Sequence, residues 1–203
     1  MNGATNPVQD AGTGTLIDFI AARRGLTERS ANTVEPFEAL PTELPHASTE
    51  LRKQDPAALE RAQIEAEAEF VRLIQSTDDE AFEAGVENEL SLGVERMIQR
   101  YGPQGVYAIG SLYLSGTMSP TILAETLPWL GQVEDDTTHE PIYWFLVYCL
   151  RDGHPWVRSS AALGLASMED SRAVPYLRRE ARTESIRLLQ SRLQKVADEL
   201  ASL

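Results

Sequence analysis

Apolar residues recur at intervals of three and four from Leu59 onward, and no segment beyond Pro103 shows strict alternation with polar residues. A period near 3.6 lays one face of a helix on a core, whereas a half-buried strand needs a period of two. The pattern therefore predicts an all-α protein. Leu59, Ala62, Ala66, Phe70 and Leu73 mark a first helix, capped by Asp55, opened by Pro56 and running to Gln75 through Ala- and Glu-rich sequence of high helix propensity. Val86, Leu90, Val94, Met97 and Tyr101 mark a second, from about Asp79 to Tyr101, which Gly102 and Pro103 end. Six more helices are expected over 104–115, 119–131, 139–151, 155–167, 171–182 and 184–201, with Ser119-Pro120, Pro155 and Asp170-Ser171 as start signals. In the last of them Ile186, Leu189, Leu193, Val196 and Leu200 form the expected buried stripe.

The first quarter of the chain has another texture. Residues 1–14 hold almost nothing apolar, and residues 27–56 place Pro36, Pro41, Pro45 and Pro56 among polar residues. Neither stretch can bury enough surface to offset its ordering entropy. The expected organisation is a flexible N-terminal segment over 1–55 and an all-helical domain over 56–203. Within the segment, Thr15 to Gly25 puts Leu16, Phe19 and Ile20 at helical spacing with Gly25 as a C-cap, which predicts a short amphipathic helix on a tether.

Two stretches of the helical part look alike. Ala108-Ile-Gly-Ser-Leu, a short loop and Ser119-Pro-Thr-Ile-Leu are echoed by Ala162-Leu-Gly-Leu-Ala, a short loop and Ser171-Arg-Ala-Val-Pro-Tyr-Leu, at separations of 54 and 52 residues. Small residues at Ala161, Ala162 and Gly164 permit close helix approach, and short loops return the next helix antiparallel, the unit that stacks into a solenoid. The run from Asp152 to Leu177, DGHPWVRSSAALGLASMEDSRAVPYL, resembles the HEAT-like repeat family, including the variety found in bilin-lyase proteins. The resemblance covers mainly residues 152–182. It implies an α-solenoid, a stack of antiparallel helix pairs presenting an extended surface to a partner protein, and it implies ion-pairing and capping roles for Arg158 and Asp170. The helix over 139–151 can be paired with either the preceding or the following helix.

Charge narrows the partners. Lys and Arg number 18 against 31 Asp and Glu, a net charge of −13, so most of the surface repels nucleic acid and anionic membranes. Only the C-terminal end is basic: Arg172, Arg178, Arg179, Arg182, Arg187, Arg192 and Lys195 fall on the last two expected helices. This group reads either as a docking surface, for an acidic partner or for the acidic middle of a second copy, or as a solvated cap of the stack. Trp156, opening a helix after Pro155, is expected to be partly exposed, where an aromatic can anchor an interface. Leu16, Phe19, Ile20, Trp156, Arg178, Arg179, Arg182 and Arg187 are the partner-binding candidates.

Candidate chemistry is sparse. His46, His139 and His154 form no pair at helical ligand spacing, which removes the common zinc arrangements. Asp135, Asp136, His139 and Glu140 could hold Ca²⁺ or Mg²⁺, but read first as a solvated loop in which Thr137 or Thr138 caps the next helix. Cys149 lies among Tyr143, Trp144, Phe145 and Tyr148, where burial makes a thiol a poor nucleophile. No nucleophile elbow or Gly-rich phosphate loop occurs. No catalytic, cofactor or metal residue is assigned. One cysteine and the lack of an N-terminal apolar leader point to the cytoplasm, and the most apolar stretch, Pro141 to Leu150, is about half the ~20 residues a membrane span needs.

These features predict a non-enzymatic protein-interaction module, an adaptor or regulatory subunit of a bacterial-type complex. Two alternatives stand beside it. An antitoxin or immunity-type protein would turn the acidic surface on a basic partner. A HEAT-like enzyme or small-molecule binder, bilin lyase-like or DNA glycosylase-like, would need a pocket or a basic channel.

Overall fold

The computed structural model describes residues 55–76 and 88–203, and every regular element among them is helical. The chain divides into two units, Met1–Glu60 and Arg61–Leu203. Only the opening turn of one helix is described in the first, so the packing below is that of the second. The expected helix at 15–25, its residues Leu16, Phe19 and Ile20, and the acidic run at Thr77–Glu80 lie outside the described residues.

Helix α1 spans Pro56–Ser76, and the Asp55 carboxylate accepts the Ala57 N–H at 3.1 Å as its cap. It buries Ala66 and Phe70. Helix α2 spans Glu89–Tyr101, later than the expected start near Asp79. Asn88 supplies the reason: its side chain accepts the Ser91 N–H while the Ser91 hydroxyl takes the Asn88 N–H, a reciprocal cap that fixes the first turn. Gly102, at φ 56°, ends α2 and leads into α3, Pro103–Leu114, a left-handed conformation that a side chain would strain. Helix α4, Pro120–Leu130, is capped by Ser119.

Helix α5 spans Asp136–Cys149 and begins before residue 139 because Asp135, rather than Thr137 or Thr138, caps it. The Asp135 carboxylate accepts both the backbone N–H and the hydroxyl of Thr137 at 2.8 Å. Helix α6, Pro155–Ser167, has its expected bounds. A 3₁₀ turn at Ser171–Ala173, capped by Asp170, precedes α7, Val174–Thr183. Helix α8 is Arg187–Leu200. Its start corrects one expectation. Glu184 draws the Ile186 N–H to its carboxylate at 2.9 Å, leaving Ile186 extended and 43% exposed, off the buried stripe that Leu189, Leu193, Val196 and Leu200 do form.

Both alternate and successive helices are neighbours, and α7 lies closely along α8. Helix α4 lies along α6, α6 along α8 and α2 along α4, while α3 lies along α5. Helices α5 and α7 meet through side chains, with the Trp144 and Tyr176 rings edge to face at 5.9 Å. Helix α5 packs against the following helix, α6, which decides the pairing that the sequence left open. The tightest approach is between α4 and α6. A Cβ built on Gly164 would stand 2.7 Å from the Leu127 carbonyl oxygen and 2.8 Å from the Leu146 side chain, and one on Gly131 would run into the Gly164 backbone. Between the rows the core is closed by Leu123, Leu127, Phe145, Leu146, Val157, Leu165, Leu177 and Leu193, all buried.

Candidate functional site

The basic residues of the C-terminal end divide by what they touch. Arg158 on α6 grips Glu184 through Nε and Nη2 at 2.8 Å each, and its Nη1 donates to the carbonyls of Asp152 and Gly153. Asp152 in turn accepts the Tyr113 hydroxyl at 2.7 Å and the His154 N–H at 2.7 Å. One chain of polar contacts thus ties α3, the loop before α6, and the turn into α8. Burial raises the Glu184 pKa, but the Ile186 N–H and the Arg158 guanidinium outweigh it and hold the carboxyl below the ordinary range.

Arg172 makes the second knot. It pairs with Asp170 and with Glu140, at 2.6 Å each, and its guanidinium lies over the Tyr143 ring at 4.6 Å. Glu140 also accepts the Trp144 indole N–H at 3.1 Å, and His139 stands 3.8 Å from Asp170. Burial pushes the Tyr143 phenol up, and Arg172 holds Asp170 low against the opposing effect of burial. The ion pairs and caps expected of Arg158 and Asp170 are therefore present. In the loop weighed as a cation site, Asp135 caps α5 and Glu140 pairs with Arg172. Among the described residues no group of three or more His, Cys, Asp or Glu side chains is arranged to hold a metal ion. Cys149 is buried in the core.

Of the partner-binding candidates, Arg178 reaches across to Asp198 on α8 at 3.4 Å, and Arg179 pairs with its neighbour Glu180 while lying over the Tyr176 ring at 5.6 Å. Arg182 lines an open groove between α7 and α8 with Gln190, Gln194, Lys195 and Asp198, a mixed-charge surface with no aromatic wall. Arg187 projects from the first residue of α8. All four reach the surface: Arg178 and Arg179 in ion pairs, with Arg178 and Arg182 both beside Asp198, and Arg187 at the start of α8.

Trp156 belongs to a different surface. Its ring is 61% exposed, set edge to face on His154 at 5.6 Å in the first turn of α6. Two turns on, Leu163 is 41% exposed, and on α8 Leu188 is 77% exposed. Positions seven apart on a helix share a face, as do positions four apart. Arg192, one turn beyond Leu188, donates to the Ser159 hydroxyl between Trp156 and Leu163, so the two helix faces adjoin. Leu163 and Leu188 escaped the sequence reading, which left Leu188 out of the buried stripe of the last helix and weighed neither residue as an exposed anchor.

No family model, no curated protein and no solved structure matches this chain. None of the helices in the described residues is long and apolar enough to cross a membrane.

Proposed function

We propose that this chain is a protein-interaction module, an adaptor or regulatory subunit, built as a short HEAT-like stack and binding a partner protein through the joined faces of α6 and α8. Two features support the stack: alternate helices are neighbours, and the run from Asp152 to Leu177 resembles one HEAT-like unit. The observation that carries the binding role is the exposure of Trp156, Leu163 and Leu188 on adjoining helices. Scattered single apolar residues are ordinary on a surface, but a tryptophan and two leucines on contiguous faces, rimmed by Arg187, Arg192 and Lys195, have the composition of an interface centre. The polar networks around Arg158 and Arg172 tie helices together.

Capture of partner protein by the tagged full-length chain tests this reading. Truncating a central tryptophan costs an interface about 2 kcal/mol or more, so Trp156→Ala should weaken capture by roughly thirtyfold. Leu188→Asp should do the same, with the melting temperature unchanged for both. Equal retention by folded variants would refute the assignment.

A further inference from the structure

The face shared by α6 and α8 is uneven in charge from one flank to the other. The exposed residues of α6 are Trp156, Leu163 and Ser167, with Ser159 and Ser160 half-buried beside them. None is charged. Arg158, the one charged residue of α6, is held on Glu184 and on the carbonyls of Asp152 and Gly153.

The α8 flank is cationic. Leu188 is followed at intervals of four and three by Arg192 and Lys195, which continue one exposed line along the helix. The bond from Arg192 to the Ser159 hydroxyl sets that line beside α6 and leaves the guanidinium charge without a carboxylate there. Lys195 forms the crest, bordering the groove against α7 as well. It meets Glu199 at 3.6 Å, a pair so exposed that water screens most of its worth. Helix α7 closes the other flank of α8, where the Gln190 side chain donates to the Ala181 carbonyl at 3.0 Å. The interval along the seam is also defined: Trp156 and Leu163 are seven residues apart, as are Leu188 and Lys195. At 1.5 Å per residue this is about 10 Å, the separation of positions i and i+7 on a docked helix.

We propose that the occupant of this face is an acidic amphipathic helix of a partner protein, laid along the seam between α6 and α8. Its apolar stripe covers Trp156, Leu163 and Leu188, and its carboxylates lie toward Arg192 and Lys195. The inference rests on the docking role assigned above and names the chemistry of the partner. A basic helix would set like charges against Arg192 and Lys195, and a wholly polar anion would leave the α6 flank uncovered. Glu199, one turn past Lys195, limits the cationic stretch to about two turns of α8. The net charge of −13 opposes an acidic partner at long range, but repulsion beyond ~8–10 Å is screened at physiological salt, where the local pairs still act.

Fluorescence anisotropy of the full chain with two synthetic peptides at physiological salt is the test. Both are alanine-based helices of about 20 residues, long enough to be helical in water, with Phe and two Leu at i, i+4 and i+7. One carries Glu along a flank of that stripe, and the other carries Lys at the same positions. The acidic peptide should bind about tenfold or more tightly than the basic one. Arg192→Glu with Lys195→Glu should reverse that order at unchanged helical content, while Trp156→Ala should weaken both peptides alike. Equal binding of the two peptides by the wild type, or a preference for the basic one, overturns the inference. So does an order that the double charge reversal leaves unmoved, or no binding up to millimolar peptide. The docking role has its own readout: a captured protein lost on Trp156→Ala yet retained by the doubly reversed chain would exclude an acidic helix and leave the face in use.

Discussion

The Glu184 carboxylate accepts the Arg158 guanidinium with one oxygen and the Ile186 N–H with the other, so a single side chain fixes both the α6 contact and the start of α8. Asp170 does the equivalent work ahead of α7, taking the Arg172 backbone N–H at 2.9 Å and its guanidinium at 2.6 Å. Both carboxyls are held below the ordinary carboxylate range in the folded chain. Below that ordinary range the unfolded chain therefore binds their protons first. Their contribution is complete above about pH 5 and is lost as pH falls through about 4 and then through the lower folded values. Glu184→Gln should cost about 1.5–3 kcal/mol at pH 7, the usual worth of hydrogen bonds to a charged group. Together with Asp170→Asn it should flatten the fall of the urea midpoint between pH 6 and pH 3. An acid slope equal to that of the wild type would show that neither carboxyl is held low.

At the scale of elements, the contact of α4 with α6 depends on having no side chain at two positions. Replacing Gly164 by alanine improves helix propensity by about 1 kcal/mol. The added Cβ would meet the Leu127 carbonyl at 2.7 Å, and backbone cannot swing aside as a side-chain tip does. Forcing a methyl into such a contact costs about 1–3 kcal/mol or more, so the clash wins. Gly164→Ala should lower the stability measured by urea unfolding by about 1–2 kcal/mol net; a neutral or stabilised variant would mean that the two helices can part without loss. Ala161, Ala162 and Gly164 made this approach legible in the sequence, as Pro155 made the start of α6 legible. Three starts were misplaced for one reason: Asn88, Asp135 and Glu184 capture backbone N–H groups that apolar periodicity does not weigh. Partners distant in sequence, such as Tyr113 with Asp152 or Arg172 with Glu140, were not legible at all, because their pairing depends on which helices become neighbours.

On the whole molecule, the sequence marked Trp156 as partly exposed, and it is 61% exposed. Arg178 and Arg179 make ion pairs at the surface, and Leu163 and Leu188 stand with Trp156 on an apolar face. The face is rimmed by cations on a chain of opposite net charge, which suits an acidic partner surface bearing apolar anchors. Site-directed photocrosslinking reads whether a protein docks on this face. A benzophenone side chain placed at Trp156 should give one dominant protein adduct under native conditions, and the same group at exposed Gln99 on α2 should not give that adduct through the α6 face. Competition with excess unlabelled chain should abolish the Trp156 adduct, and Leu188→Asp should reduce it by roughly tenfold or more. No adduct from Trp156, or a diffuse set indifferent to Leu188→Asp, would mean that this face docks no protein.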